Sequence, residues 1–331
     1  MTEKPEVSAH WSRQNEQAAG YWQLKFLLVL FRLLPVIFLR VIAFPVGFFY
    51  FLFSKRGRQE SKRFLQKISP FIDDPKMARK CRSPLGPLRH IVSFSIALVE
   101  KFQSWGGKYS FKDIHFQDDD IGELIRELED GKGTVLVFSH LGNSELLRGL
   151  LNLGRTGVSR KIPVTAIIDM KVTAHFSRVL KELNPQSAMD IIGADEIGPQ
   201  TAVLLEEKLN AGEMVVIAGD RTAAKSDSKN LTIPFLGEEA PFPHGIFYLA
   251  AMMKTSVYFV FSLRRRDLSL TPEYDMYIHK SAGAVNFSRK EKYERSLLLS
   301  HSFADFLERY CKEQPFQWYN FFDFWHEGAG A

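Results

Sequence analysis

TVLVFSHLGNSE, residues 134–145, decides the fold class. A β-branched apolar run at 134–138 stops at Ser139 and His140, and Asn143 or Ser144 then caps a helix running through Leu153. The same change of period recurs downstream. VTAII at 164–168 precedes a helix near Thr173 to Leu183, MDIIG at 189–193 precedes one from Gly198 to Ala211, and MVVIA at 214–218 follows. Strand and helix alternating in this way predict an α/β domain whose mixed, largely parallel sheet is flanked by helices. Further strands are expected near Val257 to Leu263 and Met276 to His279, then an amphipathic helix from about Arg289 to Cys311. Upstream, Ile91 to Gln103 and Ile121 to Glu129 read as helices, the second after the acidic cap Asp118, Asp119 and Asp120. Four prolines between 68 and 90 make that stretch a connecting region, which divides the chain into an N-terminal region, 1–84, and a catalytic unit, 85–331.

Composition excludes several classes. With 45% apolar and 24% charged residues, this is a folded protein, not a disordered or collagen-like polymer. Its two cysteines, Cys81 and Cys311, are too few and too far apart for a disulfide framework or a thiolate zinc site. The formal charge of +5 favours anionic partners such as membrane surfaces, phosphorylated substrates or acidic proteins. No nucleic-acid partner is expected.

Residues 26–53, FLLVLFRLLPVIFLRVIAFPVGFFYFLF, are apolar enough to require cover. Arg32, Arg40, Pro35 and Pro45 interrupt them, so no charge-free run reaches the roughly 18 residues of a clear spanning helix. Helical spacing gathers Lys25, Arg32 and Arg40 on one broad side, the pattern of a helix lying in a membrane interface. KRGRQESKRFLQK follows at 55–67, with six cations against Glu60 alone. Such a run is attracted to anionic headgroups and marks the cytoplasmic side; the alternative is that these helices are core, packed under the downstream domain, and the basic run is a solvated face.

The chain contains no G-x-S-x-G elbow, H-E-x-x-H, P-loop or G-x-G-x-x-G. What remains is His140, at the carboxyl end of a buried-type strand, with Glu145 five residues on. Open α/β sheets place ligands at such strand ends. His115 and Asp120 share the spacing but lie in the charged stretch KDIHFQDDD. An imidazole near its ordinary pKa can take a proton from an alcohol attacking a carbonyl, while a carboxylate holds its tautomer. Gly142 permits close approach of substrate to backbone, and amides at the following helix start, from Asn143 on, are placed for an oxyanion or phosphate. AGDRTAAK at 218–225 ends another strand. There Arg221 is a candidate anion ligand, and Asp220 either orients it or caps the turn with Thr222. In the turn-rich segment that starts IPFLGEEAPFPHG, Phe235, Phe242, Phe247 and Met252 line an acyl groove or belong to ordinary core.

With these segments in order, the chain resembles the lysophospholipid acyltransferase superfamily, in its lipid A late acyltransferase branch, over roughly 85–320. SHLGNSE supplies that family's histidine and acid as His140 and Glu145. Gly219, Asp220 and Arg221 match its third block loosely, and PFLG at 234–237 and EQPFQW at 313–318 are similar to the branch. The opening HWSRQNEQAAGYW at 10–22 is most similar to acyltransferases associated with aryl polyene lipid pathways. In place of the family's proline-containing arginine motif, DMKVTAHFSR at 169–178 offers Lys171, His175 and Arg178.

The resemblance implies a glycerolipid acyltransferase-like fold behind an apolar helical membrane anchor. It further implies transfer of a fatty acyl chain from an acyl carrier protein or coenzyme A thioester to a lipid or glycolipid hydroxyl, without a metal or redox cofactor. The expected place is the cytoplasmic face of the bacterial inner membrane. His140 is then the base, Glu145 its partner and Arg221 a binder of anionic substrate groups. A thioesterase or lipid hydrolase, and a non-catalytic membrane lipid-binding protein, are the competing readings.

Overall fold

The computed structural model describes residues 29–30, 33–105, 114–117, 120–146, 158–168, 189–221, 230–282 and 288–325. The helices read from Ser144 to Leu153 and Thr173 to Leu183 lie wholly or mostly outside them.

Helix α1 (Val36–Phe53) leads at Ser54 into α2 (Lys55–Ile68), where the Ser54 hydroxyl accepts from the Gly57 amide at 3.1 Å. Then come α3 (Pro75–Arg82) and α4 (Gly86–Trp105). The stretch 68–90, expected as a connector, is therefore largely helical. Its prolines mislead because Pro75 and Pro87 occupy first turns, where a missing N–H costs nothing. Asp74 caps α3 by accepting from Lys76 N at 2.9 Å.

Next follow β1 (Ile114–Phe116), α5 (Asp120–Glu129), β2 (Thr134–Gly142), β3 (Val164–Ile168) and β4 (Met189–Gly193). After these come α6 (Pro199–Asn210), β5 (Met214–Ala218), β6 (Asn230–Phe235), β7 (Glu238–Pro243) and α7 (His244–Met252). The chain then forms β8 (Ser256–Arg264), β9 (Tyr274–Lys280) and α8 (Arg289–Glu313). Seven strands form one sheet in the order β1-β9-β8-β2-β5-β3-β4. Every neighbouring pair is parallel except β8 with β9, so the sheet is mixed and mostly parallel, as expected. β1, inside the charged stretch around His115, carries too little apolar pattern to be read from sequence. The segment read as turn-rich after 230 is an antiparallel hairpin, β6 with β7, turning at Leu236 and Gly237, both at positive φ.

Strand periodicity sorts the core. On one face of the sheet Val135, Val137, Val215, Ile217, Phe259 and Phe261 meet Phe303 and Leu307 of α8 and Phe247 of α7. On the other, Leu136, Val216, Tyr258 and Val260 meet Leu124 and Leu128 of α5. Phe235, Phe242 and Phe247 are all sealed in the first cluster, so the acyl-groove reading gives way to core at those positions; Met252 is partly buried against it. Phe64, Leu65 and Ile68 of α2 and Cys81 of α3 share that cluster, so the chain on either side of residue 84 contributes to one core.

Helix α1 lies along α4, burying Leu39, Arg40, Ala43 and Gly47 against Val92, Ile96, Val99 and Phe102. Gly47 is required there, since a Cβ would stand 3.0 Å from Val92 Cα. The rest of α1 faces outward: Phe38, Val46, Phe49 and Phe53 are exposed, Phe53 by 83%. Arg40 departs from the expected charged side. It turns inward, donating to the Leu270 carbonyl at 2.8 Å and to Gln103, and lies 3.5 Å from Glu100. Lys25 and Arg32 lie outside the described residues.

Glu100 is fully buried, with Arg264 Nη2 at 2.7 Å and Tyr274 O–H donating to it. Burial pushes its carboxyl up, against Arg264 first and then the Tyr274 hydrogen bond and Arg40. Removing one member of such a group strands the rest. Glu100→Ala should therefore cost about 3–5 kcal/mol and lower the Tm in detergent by several degrees. Glu313→Ala, which breaks an exposed pair with Arg309 at 3.2 Å, should change stability by less than about 0.5 kcal/mol. Equal Tm values for the two variants would remove Glu100 from the stability of the fold.

Candidate active site

β2 and β5 are parallel neighbours with Phe138 opposite Ala218. Two residues beyond each register partner stand His140 and Asp220, brought side by side at the carboxyl edge of the sheet. Gly219 N donates to Phe138 O at 2.8 Å and keeps the two chains together past the end of β5. Here His140 N donates to Asp220 Oδ2 at 2.8 Å, and Nδ1 lies 2.8 Å from Oδ1. An ionised carboxylate only accepts, so Nδ1 carries the proton and Nε2 keeps its lone pair. The His140 side chain is 25% exposed while Asp220 is 0% exposed, so the imidazole faces solvent on a sealed support.

The carboxylate on Nδ1 is thus Asp220 and not Glu145, the acid that the motif spacing suggests. The physical reason is the turn at Gly142, which redirects the chain before Glu145, whereas strand register carries Asp220 straight to the ring. Glu145 is half-buried in the turn of helix that opens after Asn143. Asp220, expected to orient Arg221 or to cap the turn with Thr222, is the buried partner of the imidazole.

Two more expectations change role. Gly142 has φ +71°, and an added Cβ would collide with the Ser262 carbonyl. Its close backbone approach is to Ser262 of β8. Asn143 is buried: its amide donates to Ser262 O at 2.9 Å, and Nδ2 to Ser104 Oγ at 3.2 Å and Tyr274 OH at 3.5 Å. Arg221 is partly exposed at the site, its guanidinium 5.6 Å from the Phe322 ring centre. Lys171, His175 and Arg178 fall outside the described residues. Among those described, no group of three or more His, Cys, Asp or Glu is placed to share a metal ion.

Sequence reasoning missed the segment after α8. Trp318 Nε1 donates to Asp220 Oδ2 at 3.1 Å, Asn320 Nδ2 donates to the same oxygen at 3.4 Å, and Tyr319 N donates to His140 O at 3.3 Å. Leu141 and Trp318 form an isolated antiparallel bridge. That segment is itself held from behind. His90 of α4, buried and pushed down to about 3, is neutral; Nε2 donates to Trp318 O and Nδ1 accepts from Ser61 Oγ, both at 3.0 Å. The Phe64 ring packs edge-on to Trp318 at 4.9 Å. The only sequence signal was EQPFQW, noted for its resemblance and not for a chemical role.

Burial first, then the Arg221 charge, hold the His140 imidazole below its ordinary pKa, while Asp220 pulls the other way. Burial would raise the Asp220 carboxyl, yet the His140 charge and the two bonds from His140 outweigh it, and its pKa is low. At neutral pH the pair is an anionic carboxylate beneath a neutral imidazole. Asp220→Asn should therefore lower the His140 pKa further and Arg221→Gln should raise it, as followed by NMR titration of labelled histidine. Shifts of the same sign in the two variants would contradict these electrostatics.

The model of a family described as bacterial lipid A biosynthesis acyltransferase matches residues 7–327. No curated protein matches the chain. The match spans the N-terminal apolar block, both strand ends that form the pair, and the Trp318 segment, so the chain belongs to the bacterial lipid A biosynthesis acyltransferase family.

Proposed function

We propose that the protein is a membrane-associated O-acyltransferase that moves a fatty acyl chain from an acyl carrier protein or coenzyme A thioester to a hydroxyl of a lipid A-like acceptor. The observation that carries this reading is the His140–Asp220 pair, a part-exposed imidazole whose buried carboxylate fixes the tautomer with Nε2 free to accept a proton. In the reaction, the acceptor O–H gives its proton to Nε2 as its oxygen attacks the thioester carbonyl carbon. The C–S bond then breaks, and the departing thiolate takes the proton from the imidazolium, leaving a thiol and an ester. Asp220 stays ionised and stabilises the imidazolium in between. A thioester is already activated, so these steps call on no metal or redox cofactor.

Arg221, partly exposed beside the imidazole, is suited to an acceptor phosphate or the carbonyl oxygen as it gains charge. Membrane seating follows from the outward phenylalanines of α1 and the cations next to them on α2. Those cations favour the cytoplasmic leaflet, where an acidic carrier protein would also find a complementary surface.

The test is to incubate the detergent-purified chain with labelled acyl carrier thioester and a lipid A-type glycolipid, and to identify the lipid that gains mass. Release of free fatty acid alone would favour a hydrolase instead. His140→Ala and Asp220→Asn should each lower kcat by about 10²–10⁴ while folding persists. A Glu145→Gln variant that loses kcat without moving the His140 titration would place Glu145 on the reacting groups, not on the imidazole.

The neutral imidazole is the active form. Activity should hold above about pH 6.5 and fall only as pH drops through the lowered His140 pKa. An acid limb above about pH 6.5 would refute His140 as the base.

A further inference from the structure

A surface cleft of about 330 Å³ lies where α1, the turn between α3 and α4, and the loop between β8 and β9 meet. Phe44, Leu88, Val92 and Leu268 give it an apolar interior, and Leu85 stands at its mouth, 67% exposed. Its polar lining is Lys80, Ser83 and Arg89. Among the described residues, no carboxylate lines it. Nearby Asp267 is held by Arg89 through two bonds, at 2.6 and 2.7 Å. Helix α3, PKMARKCR, adds exposed Lys76, Arg79 and Arg82 and has no acid. The cleft is therefore amphipathic, an apolar slot with a cationic end, and it opens beside the helix whose outer face is exposed phenylalanine, leucine and valine.

We infer that this cleft holds one acidic glycerophospholipid from the bilayer. An acyl chain lies along Phe44, Leu88 and Leu268, and the phosphate sits at Lys80 and the Ser83 hydroxyl. Charge selects the head: a net-positive rim favours a phosphate diester without a compensating ammonium. Continuity selects the source, because the slot adjoins the α1 surface that the membrane reading places in the bilayer. This inference rests on that reading. The lipid is a bound component and not a substrate, since none of the lining residues belongs to the His140 site.

The test uses native mass spectrometry of the full chain in detergent, titrated with dioleoylphosphatidylglycerol or dioleoylphosphatidylcholine, alongside flotation with vesicles of each. The wild type should retain one phosphatidylglycerol per chain in preference to phosphatidylcholine. Lys80→Glu and Leu85→Glu should each weaken that adduct about tenfold or more, while Lys80→Arg keeps it and all four proteins still float. Equal adducts in wild type and both glutamate variants, or no preference between the two lipids, would overturn the cleft as a lipid site. A wild type that floats with neither vesicle would instead overturn the membrane reading, and a surviving selective adduct would then stand by itself.

Discussion

The Asp220 carboxylate is an anion with no solvent contact, and the arrangement of the active edge follows from the need to keep it so. Burying a carboxylate is expensive unless donors surround it, and Asp220 has four: the His140 amide and ring, the Trp318 indole and the Asn320 amide. Each comes from a place the fold must deliver accurately. Strand register delivers His140, and the segment after α8 delivers the other two. The same bonds that make the anion affordable orient the imidazole, so support of the charge and choice of the tautomer are one act.

The segment after α8 explains why α2 and α4 pack into the same body as the His140–Asp220 pair. His90 of α4 donates Nε2–H to the Trp318 carbonyl, and because burial keeps the ring neutral, its other nitrogen can accept from Ser61 of α2. Phe64 closes the apolar side of the indole. A run that begins with a basic, solvent-type pattern thus has an inner face, Ser61, Phe64, Leu65 and Ile68, that backs the residue on Asp220. Its cations sit on the remaining face of the same helix.

Six of the seven strands of the central sheet are legible because their apolar runs are short and bounded by polar turns, whereas β1 is not. His140 was legible as the residue at the end of one of them. The partner was not. Spacing along the chain favoured Glu145, while the actual partner lies 80 residues on. It follows a second strand whose neighbour in the sheet sequence alone does not specify. Both His140 and Asp220 stand just past apolar strand runs in the sequence, so the clue is present but needs the order β2-β5 to become a contact. Trp318 and Asn320 had no comparable clue, since their role depends on a long-range return of the chain. Prolines misled between 68 and 90 because position within a helix, not mere presence, decides whether proline breaks it.

Arg40 supplies the remaining link between the apolar helix and the sheet edge that carries His140. As an outward charge it would have anchored α1 to headgroups; turned inward it meets Glu100, which also accepts from Tyr274, whose hydroxyl lies 3.5 Å from Asn143 Nδ2. Asn143 is three residues past His140, and its amide is pinned to Ser262. Helix α1 is therefore tied by buried polar contacts to the turn that follows His140. Pulling α1 away from the body would leave Glu100 with Arg264 but without its second cation, and would expose the apolar row of Val92, Ile96 and Val99. Separation is costly both electrostatically and hydrophobically, so α1 and the body that carries the His140–Asp220 pair hold together as one unit and α1 is not a loose tether.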